Sequence, residues 1–234
     1  MSKKVAISQS NYIPWKGYFD LIASVDEFVL YDDMQYTRRD WRNRNKIQTP
    51  SGLSWLTIPV DVKGKYLQTI YETRVSNNLW KRKHWKSICQ SYSKSKYFSK
   101  YNHIFEELYH RDDFEMLSQI NESFIRAICS ILNINTKIVQ SKEFSLRDGK
   151  SQRLLGICAD LNASEYVSGP AAKGYLDESI FIDNNIKVSW MDYSDYPEYS
   201  QKYSPFEHGV SILDLIFNEG ENAGKYMKYI NKSR

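Results

Sequence analysis

Two neighbouring carboxylates, Asp32 and Asp33, end the apolar run Glu27-Phe28-Val29-Leu30-Tyr31. Paired acids at the end of a strand can hold Mg²⁺, bind a substrate ammonium or act as a general base. The polar stretch after them carries Gln35, Arg38, Arg39, Arg42, Asn43, Arg44 and Lys46. Its guanidinium groups can grip a diphosphate, each of them bidentately. Basic and aromatic residues also interleave here, as on nucleic-acid-binding surfaces. A solvated run of charge gives the same pattern, although the flanking acids and amides weigh against it.

Three more segments carry polar and aromatic side chains. Ser8-Gln9-Ser10-Asn11-Tyr12-Ile13-Pro14-Trp15-Lys16-Gly17-Tyr18 follows the apolar Val5-Ala6-Ile7. There Gln9 and Asn11 can bind a base or a sugar, Tyr12 and Trp15 can line a pocket, and Lys16 can neutralise a phosphate at a helix N-terminus. The run Ser168-Gly169-Pro170-Ala171-Ala172-Lys173-Gly174 lacks the spacing of a P-loop. It still suits an anion-binding turn using Ser168 and Lys173, and an ordinary turn equally well. Between Asp192 and Gln201, tyrosines alternate with carboxylates. Tyr196 can pack a pyranose face while acids hold an amine. His208, the one histidine near a candidate loop, titrates near neutral pH and is a third candidate base beside Asp32 and Asp33.

These segments need strands to present them. Val5-Ala6-Ile7, a helix from Trp15 to Ala23 and the strand Glu27–Tyr31 form a βαβ unit, the signature of a parallel sheet. In such sheets ligands bind beyond the carboxyl ends of the strands. Residues 34–51 read as a loop. Strands are expected at Ser54–Val60, Thr69–Val75, Lys137–Val139, Glu165–Ser168 and Ile186–Met191. Helices are expected from Asn77 or Asn78 to Tyr92, across Lys96–Asn133, and over Ser151–Leu161 and Ser211–Phe217. Phe114, Leu117, Ile120, Phe124, Ile128 and Ile131 recur at helical spacing with Asp112 or Asp113 as N-cap. The expected fold is a single α/β domain over 1–234, with a Rossmann-like, nucleotidyltransferase-like parallel sheet and a helical insertion at 77–133.

Composition narrows the function classes. At 234 residues the chain is long enough to bury a full core unaided. No apolar run is long enough to cross a bilayer. The N-terminal Met1–Ser8 turns polar after three apolar residues, too early for a signal peptide, so a cytoplasmic location is expected. Cys89, Cys129 and Cys158 lie far apart, which argues against a disulfide framework or zinc site and for inert, buried thiols. No metal ligand set is expected. A formal charge of +4 is mild and suits a small anionic substrate as well as nucleic acid. Aromatic residues make up 15% of the chain, which suits a ring-stacking pocket or an aromatic core.

At these same segments the chain resembles the WbqC-like family, over nearly its whole length. The likeness rests on Gln9–Phe19, Asp32-Asp33-Met34-Gln35-Tyr36, Asn43-Arg44-Asn45-Lys46-Ile47, Trp55–Val60, Ser168-Gly169-Pro170 and Ser211–Leu215. The family usually begins His-Gln-Pro-x-Tyr-x-Pro-Trp; here Ser8 and Ser10 replace the histidine and the first proline. The family is similar to proteins encoded among O-antigen and other surface-polysaccharide genes. That implies an enzyme acting on a nucleotide-linked amino sugar, by acyl or aminoacyl transfer to the sugar nitrogen. The donor implied is an acyl-CoA, an acyl carrier protein or an aminoacyl-tRNA. Nucleotidyl or glycosyl transfer, and non-catalytic binding of nucleic acid or carbohydrate, are the rival expectations. The opening is also faintly similar to HIGH-motif nucleotidyltransferases, without their two histidines, which bears on the fold alone.

Overall fold

In the computed structural model, which describes residues 3–230, five parallel strands form the central sheet. They are β1 (Lys4–Ser8), β2 (Glu27–Leu30), β5 (Lys137–Gln140), β6 (Glu165–Ser168) and β7 (Lys187–Trp190). Met1, Ser2 and the last four residues lie outside the described residues, so the leader reading and the outer limits of the domain do too. The sheet order is β5-β2-β1-β6-β7. In order of appearance its strands therefore run 3-2-1-4-5, a doubly wound α/β arrangement of Rossmann type.

Strands β1, β2, β5 and β6 serve two cores, because successive side chains point to opposite faces. Ala6, Phe28 and Leu30 face one core, and Val5, Ile7, Val29 and Tyr31 face the other. A strand buried on both faces must be apolar throughout, which is why Val5-Ala6-Ile7 lacks polar alternation. The first core takes in α1 (Lys16–Ala23) and α7 (Ile212–Glu219). The second is closed by α5 (Lys150–Asp160) and α6 (Ser179–Asp183).

Between β2 and β5 the chain adds a hairpin and three helices. The helices are α2 (Leu79–Tyr92), α3 (Phe98–His110) and α4 (Leu117–Ile131). They join the core of α1 and α7: Phe217 of α7 meets Tyr92, Phe98 and Phe105 at ring-centroid distances of 5.4, 5.0 and 5.5 Å. At the start of α2 it is Asn77, by its side chain, that accepts from the Leu79 amide at 3.0 Å.

Three expectations are corrected. Residues 34–51 are not all loop: β3 (Arg44–Thr49) pairs antiparallel with β4 (Gly52–Thr57) in a hairpin. Asn45, Ile47 and Gln48 are the buried positions of β3; the alternation of the first two is hidden by the charges beside them. Thr69–Val75 is not a strand but is tethered by the isolated bridges Gln35↔Thr69, Val60↔Val75 and Arg74↔Met116. Neither Asp112 nor Asp113 caps α4, whose N-cap is Met116; Asp113 accepts from Arg111 instead.

Candidate active site

In a sheet of this order the chain reverses direction between β1 and β6, and a crevice opens beyond their carboxyl ends. A cavity of about 710 Å³ lies there. Ile7, Ser8 and Gln9 from the end of β1, and Ser168 and Gly169 from the end of β6, form its floor. Trp15, Tyr18 and Tyr193 wall one side; Tyr31, Tyr166 and Tyr175 contribute further rings.

Its charged lining is one-sided. Arg42, Lys150 and Arg153 reach it, and no carboxylate or histidine is among its lining residues. Lys150 and Arg153 sit in the first turn of α5, which has no acidic residue there and no side-chain cap. The N-cap is Gly149 at φ +92°, where a Cβ would also lie 2.2 Å from Gln152 Oε1. The free amides and partial positive charge of a helix start thus reinforce two cations. Arg42 turns inward from the opposite side. It donates to Asn11 Oδ1 and lies 3.7 Å from Asp40, and burial pulls its pKa down.

The four sequence segments meet here only in part. Gln9, Trp15, Arg42 and Ser168 line the cavity; the other candidates do not. Tyr12 is fully buried in the core, its hydroxyl 2.9 Å from His84 Nδ1 and bonded to Tyr109. Asn43 is buried and donates to the Ile58 carbonyl at 2.8 Å. Gln35 and Arg38 hold backbone carbonyls of Tyr66 and Val62. Arg39, Arg44 and Lys46 lie on or beside the hairpin, and Lys173 packs over Trp190 at 5.5 Å. So of the five basic residues expected to grip a diphosphate, the cavity contains Arg42.

Lys16 and Tyr196 form a second arrangement beside the cavity. Lys16 is only 3% exposed and donates to the Pro197 carbonyl at 3.1 Å. Its ammonium lies 4.8 and 5.4 Å from the Tyr196 and Tyr199 ring centroids. Burial pushes its pKa down to about 8, against the pull of Asp20 and Glu198. Tyr196 donates to Asp20 at 2.7 Å. These contacts bind residues 196–199 to α1. Trp15 stacks edge-on against Tyr193 and Tyr196 at 5.2 and 5.8 Å. It lies so close over Gly17 that a Cβ there would fall 2.3 Å from the indole.

The candidate bases separate. Asp32 is fully buried; Oδ1 accepts from the Ser10 amide at 2.8 Å and Oδ2 accepts from Ser118. Burial raises its pKa despite those bonds. Asp33 precedes the lining residue Met34 in sequence but does not itself line the cavity; it is half-buried and accepts from Ser141. His208 packs edge-on against Phe206, 4.6 Å away, and burial and the Lys16 cation push its pKa down. Among the described residues no group of three or more His, Cys, Asp or Glu is placed to hold a metal. The three cysteines are free, and burial pushes the thiols of Cys129 and Cys158 up to about 12.

Lys150, Arg153, Tyr31, Tyr175 and Tyr193 are absent from the sequence-based list of site residues. The signal for the first two was Gly149-Lys150 before a helix, a glycine N-cap followed by cations where acids are usual.

The described residues contain no helix long and apolar enough to cross a membrane. The model of the WbqC-like protein family matches residues 9–226. The chain is 49% identical over 227 residues to an uncharacterized protein of Mycobacterium tuberculosis, Rv1507c, across 97% of this chain and 98% of that one. No solved structure matches.

Proposed function

From the premise that this chain belongs to the WbqC-like protein family, we propose that it is an enzyme of surface-polysaccharide biosynthesis that acylates or aminoacylates the amine of a nucleotide-linked amino sugar. The family's association with surface-polysaccharide genes supports the pathway. The observation that carries the substrate class is the cavity at the β1–β6 crevice, with three cations, six aromatic rings and no lining acid. Anionic phosphates match the first feature, and a base and a pyranose ring match the second.

In this reading Lys150, Arg153 and the α5 amides take the diphosphate, and Arg42 faces it. Trp15 and Tyr193 pack the sugar ring. The amine attacks the acyl carbonyl carbon: a C–N bond forms, the donor's C–S or C–O bond breaks, and the amine proton leaves to a base. Asp33 is the base in this reading: Asp32 has both oxygens engaged by protein donors, whereas Asp33 has one bonded to Ser141 and directly precedes the lining residue Met34. The donor is an acyl-CoA, an acyl carrier protein or an aminoacyl-tRNA. Nucleotidyl or glycosyl transfer has less support, because the Asp32–Asp33 pair does not present two free carboxylates to a shared ion.

The test is incubation with nucleotide-linked amino sugars and a panel of acyl donors, read by mass spectrometry, with and without chelator. A mass gain equal to the acyl group, unchanged by chelator, is expected. Tight sugar-nucleotide binding without product from any donor would overturn the transferase reading.

A further inference from the structure

One face of the β3–β4 hairpin lies in the core; the other is open to solvent along β4, while Gln48 on its β3 side is buried. Its register sets Arg44 opposite Thr57, Lys46 opposite Trp55 and Gln48 opposite Leu53. Ile47 and Leu56, on the other face, are buried. The solvent face therefore collects two bulky apolar side chains, Leu53 at 47% exposure and Trp55 at 44%. Trp41, 41% exposed, leans on Trp55 with ring centroids 5.5 Å apart.

Cations lie beside these rings. The Arg44 guanidinium lies 4.1 Å above the Trp55 ring. Lys46 Nζ lies 5.8 and 5.9 Å from the Trp55 and Trp41 rings. Arg44 also donates to the carbonyl of Arg39, which brings that exposed arginine alongside. Among the described residues, Arg38, Arg39, Arg44 and Lys46 make no ion pair with a carboxylate. Exposed apolar clusters of this kind mark contact sites; Asp40 feels the Arg44 charge, yet the four cations leave net positive charge that calls for a polyanion.

We infer that the outer face of this hairpin binds single-stranded RNA, with bases stacked on Trp41 and Trp55 and phosphates held by Arg44, Lys46 and Arg39. Every base has a π-face, so such stacking tolerates sequence, and arginine adds a cation–π contribution. A neutral glycan would use the rings and leave the cations idle. An acidic carrier protein would use the cations and leave the rings idle. Coenzyme A has one base, whereas two rings in tandem with several cations suit consecutive nucleotides. The face is one residue from the cavity: Trp41 turns outward and Arg42 inward. In the transferase reading this is where an RNA-borne donor docks. That extension rests on the reading above; RNA binding itself does not.

The test is tryptophan fluorescence titration of the full chain with a short unstructured oligoribonucleotide at several salt concentrations. Saturable quenching is expected, with affinity falling steeply as salt rises, by a log–log slope of about −2 for three phosphates neutralised. Trp41→Ala and Arg44→Gln should each weaken binding about tenfold, and their double variant more. Circular dichroism confirms that these surface variants fold. No saturable binding at low salt, or equal binding by wild type and double variant, overturns the inference. So does quenching by neutral oligosaccharide but not RNA, or coenzyme A binding as tightly as the oligonucleotide. Because the readout is binding, failure here leaves acyl transfer from a coenzyme A thioester standing, and failure of the mass assay leaves RNA binding standing.

Discussion

The backbone amide of Ser10 donates to Oδ1 of Asp32 at 2.8 Å, tying the turn after β1 to the turn after β2. The other carboxylate oxygen takes the hydroxyl of Ser118 from α4. Asp32 thus joins three elements beneath the cavity and is spent on structure.

Asp32→Ala should cost about 2–4 kcal/mol, because it orphans two buried donors. Asp32→Asn keeps the shape and an acceptor for Ser10. The raised folded pKa means that the native state holds this proton to higher pH than the unfolded chain. Its contribution is present at acid pH and lost as pH rises through the folded pKa. The Asn variant should therefore gain on wild type as pH rises from acid to neutral. Urea midpoints across that range measure both effects.

Lys16 gives the opposite sign. Its folded pKa of about 8 lies below the usual 10.5, so the unfolded chain binds more protons between those values. Stability from this group rises with pH across that window. Lys16→Met should flatten the rise, read from denaturation midpoints at about pH 8 and about pH 10.

Arg153→Ala and Lys150→Ala should each weaken binding of a nucleoside diphosphate sugar about tenfold, the scale of one charged hydrogen bond. Added salt should narrow the gap. Calorimetric titration is the measurement. Unchanged affinity in both variants would move the phosphate site elsewhere.

Gly17→Ala should displace the Trp15 indole, since the new Cβ would overlap it at 2.3 Å. Alanine is the better helix former, so α1 should persist. Expected is about tenfold weaker sugar-nucleotide binding, by calorimetry, with an unchanged far-ultraviolet spectrum.

Asp33→Asn should lower turnover about 100-fold, the usual scale for a general base. His208→Ala should leave turnover close to wild type. The reverse pattern, scored by mass-spectrometric product yield, would hand the proton-accepting role to the histidine.

The sheet was legible in the sequence because its inner strands β1 and β2 are buried on both faces and so are apolar runs set beside helical periods. Of the hairpin, the second strand was expected within Ser54–Val60 but the first was not, because Arg44 and Lys46 mask the alternation of Asn45 and Ile47. The same arginines drew attention away from Lys150 and Arg153. Charge density along a chain does not say which way each side chain turns: Arg42 faces the cavity while its neighbour Trp41 faces water. Trp15 and Gln9 could be placed from their position after β1. Tyr12 could not, since its burial depends on His84 and Tyr109, supplied by helices far along the chain.

The pairing of β1 with β6 joins Lys4 to Glu165 and Val5 to Tyr166. During synthesis from the N-terminus, one edge of the first strand therefore stays bare until about two-thirds of the chain has emerged. Late closure of so distant a contact makes for slow assembly and a nascent apolar edge open to wrong partners. The crevice, which needs both strands, is among the last features a ribosome-bound chain can complete, so fragments ending before residue 165 cannot form it.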